Sequence, residues 1–126
     1  MITKEAKNKD LYIKYQLFFK SARTCFSIIL STLLGKEDKI LMPAYIGQSP
    51  KEGSGVFDPI RQTKSNYEFY KLKYNLQADV DDIKIKLSKE KVKALLLIHY
   101  FGFPQKDIFQ IKELCEKNNV ILIEDF

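Results

Sequence analysis

Two apolar runs on either side of one amphipathic segment constrain the fold of this chain more than any other feature. The runs are residues 94–98 and 120–123. Neither alternates between apolar and polar residues, which is typical of parallel strands that are covered on both faces. The segment between them places four apolar side chains on one helical face: Ile108, Ile111, Leu114 and Cys115. The pattern predicts a strand–helix–strand unit with parallel strands.

The upstream sequence continues this alternation of helices and strands. Residues 21–35 predict a helix, because Ser21 can cap its start and Gly35 suits the left-handed position after its end. This helix is apolar on most sides, so we expect it to be buried. The other predicted elements are strands at 39–42 and 67–72 and helices at 56–65 and 79–87. The order predicts one α/β domain, with a mainly parallel sheet and flanking helices.

The net charge suits a nucleic-acid partner, but the distribution of charge argues against one. The 126 residues carry a net charge of +5. Lysines are spread among acids along the whole chain and form no dense basic run, whereas a nucleic-acid patch needs clustered cations. We therefore predict solvated lysines and no nucleic-acid partner.

Cysteine usage and hydropathy indicate the compartment. Cys25 and Cys115 lie within helical patterns and lack metal-binding spacing, which predicts two buried thiols in a reducing environment. No apolar run approaches the ~18 residues that a membrane span needs, and residues 1–10 lack the apolar core of a signal peptide. We predict a cytoplasmic protein without membrane contact.

Chemically informative residues lie at the ends of predicted elements. Glu124 and Asp125 follow a buried strand, at the edge where open α/β sheets bind ligands. The helix at 21–35 opens with small and hydroxyl residues around Arg23, which suits an anion at its free N–H groups, although a capped start without a ligand is the commoner alternative. His99 is the only histidine and ends another strand, so structural and catalytic roles both stay open.

Two further segments allow a functional and a structural interpretation. Residues 43–55 form a long loop rich in glycine and proline, and such loops in compact domains are often functional. Asp79, Asp81 and Asp82 could hold a divalent metal or complement the dipole at the start of a helix. We favour the helix start, because no glycine-bearing loop follows at the spacing of a calcium site.

Four motifs, in order along nearly the whole chain, resemble the DegT/DnrJ/StrS family. They are Ser21-Ala-Arg-Thr24, Met42-Pro-Ala-Tyr45, Ile98-His-Tyr-Phe-Gly-Phe-Pro104 and Val120-Ile-Leu-Ile-Glu-Asp125. Members of this family are aminotransferases of fold type I that depend on pyridoxal 5'-phosphate (PLP) and act mainly on nucleotide-linked keto-sugars. The resemblance implies that residues 1–126 form the N-terminal part of a PLP-binding large domain, and therefore an incomplete fold type I large domain.

The resemblance also implies roles for individual residues. Ala22, Arg23 and Thr24 correspond to the turn that holds the cofactor phosphate through backbone N–H groups and a hydroxyl. Asp125 corresponds to the aspartate that pairs with the pyridine nitrogen and keeps it protonated, so that the ring can absorb the electrons of a substrate carbanion.

Other positions are less closely matched to the family pattern. Tyr45 or Gln48 would stack on the ring, and His99 would lie near it. Ala22 stands where the family has a glycine, which leaves less room for the phosphate. The family's Schiff-base lysine lies downstream of the Glu-Asp motif, so the resemblance implies that this chain is inactive alone.

The partners expected from the resemblance are small molecules and a second subunit. They are a nucleotide-linked keto-sugar, an amino donor and another copy of the chain, because family members are homodimers. The alternative is a non-catalytic α/β module that binds or dimerises with a full-length relative. In the family fold, strands later in sequence lie beside those present here, so we expect a gap or an unpaired edge in the sheet and incomplete cover on the first helix.

Overall fold

A computed structural model describes residues 17–89 and 91–126, so the predicted absence of a signal peptide in residues 1–10 lies outside the described part. The strands are β1 (Lys39–Pro43), β2 (Asn66–Tyr70), β3 (Val92–Ile98) and β4 (Ile121–Asp125). The helices are α1 (Ala22–Leu33), α2 (Phe57–Thr63), α3 (Val80–Lys89) and α4 (Ile108–Lys117). Within the described ranges, no helix has the length and apolar character needed to span a bilayer.

All four strands are parallel and lie in the order β2-β1-β3-β4. A helix lies on each connection between successive strands. This confirms the predicted α/β class with its parallel sheet and flanking helices. We expected either a gap in the sheet or an unpaired edge. Among the described strands each one pairs with its neighbour, so there is no gap, and β2 and β4 are the unpaired edges.

Two apolar cores cover the two faces of the sheet. The core under α3 and α4 contains Leu95 and Leu97, and the core under α1 and α2 contains Ala94 and Leu96. Successive side chains of β3 therefore enter opposite cores, as the pleat of a strand requires. This arrangement explains why β3 is apolar without alternation from Ala94 to Ile98.

The prediction that β4 and α1 are both buried is wrong, whereas the expected incomplete cover on the first helix is confirmed. Ile121 on β4 is 39% exposed and Ile28 on α1 is 45% exposed, whereas Phe26 and Leu30 on α1 are buried. β4 pairs only with β3, and α1 is covered on the side that faces the sheet and α2. Both segments have the composition of core elements, but β4 has a strand neighbour on one side only and α1 is covered on one side only.

Candidate functional site

A cavity of about 250 Å³ lies between the first turn of α1 and the carboxyl end of β4. Its lining combines an apolar floor with two carboxylates and a helix start. The lining residues are Ala22, Arg23, Cys25, Phe26, Ile29, Gly55, Val56, Leu96, Ile123, Glu124 and Asp125. The cavity is therefore lined by both segments that the sequence analysis selected: the helix start after Ser21, and Asp125 at the end of β4.

Ser21 caps α1 as predicted. Its backbone is extended, and its hydroxyl oxygen accepts a hydrogen bond from the backbone N–H of Thr24 at 3.1 Å. The helical ladder starts with the N–H of Cys25, which donates to the carbonyl of Ser21 at 3.0 Å. The N–H groups of Ala22 and Arg23 precede this ladder, so they lie at the positively polarised end of the helix. No acidic residue lies in this first turn.

The Arg23 guanidinium is directed to the loop that precedes α2. One of its nitrogens donates to the carbonyl of Glu52 at 2.9 Å, and the other lies 3.5 Å from Asp58 Oδ2. Arg23 lines the cavity, and these contacts engage two nitrogens of its guanidinium.

Asp125 lies on the face of the sheet that α1 covers. Ile123, two residues earlier, packs against the core beneath α1, and residues two apart in a strand share a face. The Asp125 carbonyl accepts a hydrogen bond from the N–H of His99 at 2.8 Å, which ties the end of β4 to the end of β3. The strand pleat thus brings the Asp125 carboxylate to the wall opposite Ala22.

His99 is buried behind this wall, and both of its ring nitrogens are paired. The backbone N–H of Gln105 donates to Nδ1 at 3.1 Å, so the ring proton is assigned to Nε2, which donates to Glu124 Oε2 at 3.0 Å. The ring of Phe126 stacks on the imidazole with a centroid distance of 4.1 Å. His99 therefore orients Glu124 from outside the cavity.

Three other predicted site residues lie outside the cavity lining. The Thr24 hydroxyl oxygen is 3.0 Å from that of Ser21. The Tyr45 carbonyl accepts a hydrogen bond from the Tyr100 hydroxyl at 2.6 Å, and burial, together with Tyr45, raises the pKa of Tyr100 to about 12. Gln48 is exposed. The structure thus brings Ala22, Arg23 and Asp125 together in the cavity lining. It leaves Thr24, Tyr45, Gln48 and His99 outside that lining.

Sequence reasoning missed several of the lining residues. Gly55 and Val56 form one wall. Gly55 ends the long loop predicted at 43–55, and Val56 begins the helix predicted at 56–65. Cys25 was predicted to be a buried thiol, but it is partly exposed and lines the cavity, because α1 is covered on one side only. Both cysteines are free, and Cys115 is buried as predicted.

The aspartates at the start of α3 contact backbone N–H groups. Asp79 Oδ1 accepts from the N–H of Asp82 at 3.2 Å, and Asp82 Oδ2 accepts from the N–H of Lys71 at 2.9 Å. Two of the three are therefore engaged in holding the start of the helix and the strand before it. Among the described residues, no group of three or more histidine, cysteine or acidic side chains is arranged to hold a metal ion.

Comparison with known proteins gives one short match in sequence. No protein-family model matches the chain. A stretch of 51 residues is 39% identical to GDP-perosamine synthase of Vibrio cholerae. The match covers 40% of this chain and 13% of that protein.

The fold is that of solved PLP enzymes. The PLP-bound C-S lyase from Staphylococcus hominis has a TM-score of 0.69 at 15% identity, S. venezuelae DesV 0.65 at 17%, and the sugar aminotransferase CalS13 from Micromonospora echinospora 0.63 at 18%. At such low identities these likenesses establish the fold alone. They cover 82–83% of this chain but 27–28% of those chains, so the chain spans less than a third of their length. With the curated match, they confirm the resemblance to DegT/DnrJ/StrS sugar aminotransferases and the fold type I prediction.

Proposed function

We propose that this chain is the N-terminal, cofactor-facing part of the large domain of a PLP-dependent aminotransferase that acts on a nucleotide-linked keto-sugar. The observation that carries the proposal is the single cavity lined both by the first turn of α1 and by Asp125. A phosphorylated pyridine needs an anion site at one end and a carboxylate at the other. The resemblance to sugar aminotransferases supplies the substrate class.

The residues around the cavity fit this cofactor in their chemistry. The start of α1 offers N–H donors and a small side chain at Ala22, and helix starts of this kind favour phosphate. Asp125 supplies the carboxylate at the other wall. The volume of about 250 Å³ is near the lower limit of small-molecule sites, which span roughly 300–1,000 Å³. This size suits a site that other chain segments complete.

When bound, PLP supplies an electron sink for a carbanion formed beside the substrate amine. The part of this chain is to hold and tune that group. The Asp125 carboxylate would keep the ring nitrogen protonated, since an adjacent negative charge favours the cationic form. The N–H groups at the start of α1 would hold the phosphate. The Nε2–H of His99 would hold the Glu124 carboxylate by a hydrogen bond.

The remaining parts of the activity are proposed to come from outside the described residues. These parts are the Schiff-base lysine, recognition of the amino donor and a second subunit of a homodimer. We therefore expect that the chain alone does not transaminate, in line with its coverage of less than a third of the solved structures. A cytoplasmic location stays a prediction.

Calorimetric titration with pyridoxamine 5'-phosphate tests the proposal, because this amine cannot form a Schiff base with surface lysines. We expect the chain to bind it more tightly than pyridoxamine, which lacks the phosphate. Asp125→Asn should weaken binding about tenfold, since a hydrogen bond to a charged group contributes roughly 1.5–3 kcal/mol. Asp81→Asn, at an exposed position on α3, is the matched control. Equal affinity of Asp125→Asn and the wild-type chain would refute the assignment of Asp125.

A non-catalytic binding or dimerisation module is the second candidate. The unpaired edge of β4 and the exposed apolar side chains Ile28 and Ile121 favour it. The same titration separates the two candidates. A chain that self-associates but shows no affinity for pyridoxamine 5'-phosphate would support the module.

A further inference from the structure

One arginine contacts the loop that supplies the cavity wall opposite β4. Residues 49–56, here called the wall loop, are closed by a bridge in which Ser49 and Gly53 exchange two backbone hydrogen bonds of 3.0 Å. The Arg23 guanidinium donates to the carbonyl of Glu52 at the tip of this loop and lies 3.5 Å from Asp58 just after it. Arg23 is thus the side chain that joins α1 to the wall loop.

One carboxylate oxygen of Asp58, Oδ2, makes two contacts. Its Oδ2 faces Arg23 and also accepts the N–H of Ser54 at 3.1 Å. Gly53 has a φ of +70°, and a Cβ at this position would run into that same oxygen. The space for the Asp58 carboxylate therefore exists because residue 53 is glycine.

We propose that the Arg23 side chain is a positioning residue, which clamps the wall loop so that Gly55 and Val56 form one side of the cavity, and is not itself a ligand of the cofactor phosphate. The inference rests on the proposed function. Its basis is that the guanidinium is already engaged by the Glu52 carbonyl and the Asp58 carboxylate. Phosphate binding is then left to backbone N–H groups at the start of α1, that of Arg23 included.

The two roles for Arg23 predict opposite effects of removing the Asp58 charge. If the guanidinium were a phosphate ligand, Asp58→Asn would release it and tighten the binding of pyridoxamine 5'-phosphate. If it is a clamp, Arg23→Gln and Asp58→Asn should both weaken binding, by about twofold to fivefold, which is the range of a partly exposed ion pair. The double variant should be no weaker than either single variant, because both changes remove one shared interaction.

Two glycine variants test the clamp without changing a charge. Gly53→Ala should displace the Asp58 carboxylate and weaken binding like Arg23→Gln. Gly102→Ala is the matched control, since Gly102 also has a positive φ, +79°, and no atom lies within 4 Å of its added Cβ. Arg23→Lys keeps the charge and should restore part of the affinity lost in Arg23→Gln. Tighter binding by Asp58→Asn, or unchanged binding by Gly53→Ala, would overturn the proposal.

Amide hydrogen exchange of the ligand-free chain separates this inference from the proposed function. Arg23→Gln and Asp58→Asn should each raise exchange at Glu52 and Ser54 several-fold, while α4 stays unchanged. If the wild-type chain does not bind the probe but these amides respond, the proposed function fails and the clamp stands. If the amides of the wall loop exchange equally in all variants, the clamp is wrong whatever the titration shows.

Discussion

Gln105 is the buried polar residue with the most contacts near the site. Its Oε1 accepts the N–H of Ala78 at 2.8 Å, and its Nε2 donates to the carbonyls of Leu76 and Ile98 at 3.1 and 2.9 Å. Its backbone N–H sets the tautomer of His99. Gln105 therefore joins the loop before α3 to the end of β3. Sequence reasoning did not single it out, because a glutamine after a proline in a loop has the pattern of a solvent-exposed residue.

Gln105→Ala should therefore destabilise the chain strongly. The change removes the side-chain partner of one buried and two partly buried backbone groups, and we expect a loss of about 2–4 kcal/mol in the free energy of unfolding. Urea denaturation followed by far-ultraviolet circular dichroism measures this loss. Gln110→Ala, on the exposed face of α4, should stay within about 0.5 kcal/mol of wild type. Equal losses in the two variants would show that the Gln105 contacts contribute little.

Local sequence patterns determined the type and order of the elements. The apolar face of α4 was predicted correctly, since Ile111 and Cys115 are buried. The patterns could not identify the edge strand, because β3 and β4 each contain an apolar run without alternation. Their difference in burial depends on the order β2-β1-β3-β4, which is a long-range property.

The same distinction applies to the cavity. Ala22 and Asp125 could be predicted because each lies at the end of a periodic segment, where ligand chemistry is expected. Gly55 and Val56 could not, since which loop residues face a distant helix depends on long-range packing, such as the contact between Arg23 and Asp58, which are 35 positions apart. Residues that line a site through loop contacts leave no periodic signal.

The exposed edge of β4 should promote self-association. An unpaired strand with apolar side chains can pair with another chain, and a lysine at such an edge opposes this. Ile121→Lys should therefore shift sedimentation-velocity profiles toward monomer, with a change in stability within about 1 kcal/mol. Ile85→Lys adds the same charge at an exposed position of α3 and is the control. A similar shift in both variants would point to net charge rather than to the edge.

At the scale of the whole molecule, two buried groups, Cys115 and Tyr70, and the partly buried Tyr100 couple folding to alkaline pH. Burial raises the pKa of the Cys115 thiol to about 11 and that of the Tyr100 hydroxyl to about 12, and it raises the pKa of Tyr70 further. The Tyr70 hydroxyl also donates to the carbonyl of Leu96 at 3.0 Å, which needs its proton. All three groups keep their protons in the folded chain at pH values where the unfolded chain loses them.

Stability should consequently fall as the pH rises above about 9. A group whose pKa is higher in the folded state stabilises fully below its unfolded pKa, and this contribution is lost as pH rises through the folded pKa. For Cys115 the window runs from about pH 9 to 11, and the loss is on the order of 2 kcal/mol. Urea midpoints at pH 7.5, 9 and 10.5 measure the decline.

Cys115→Ala isolates the thiol within this decline. The variant loses stability at every pH, because it leaves a small cavity in the core beneath α3 and α4. Its further loss between pH 9 and 10.5 should be smaller than that of the wild-type chain, since Tyr70 and Tyr100 are present in both proteins and only the thiol differs. Parallel pH profiles for the two chains would mean that the Cys115 thiol ionises at similar pH in the folded and unfolded states.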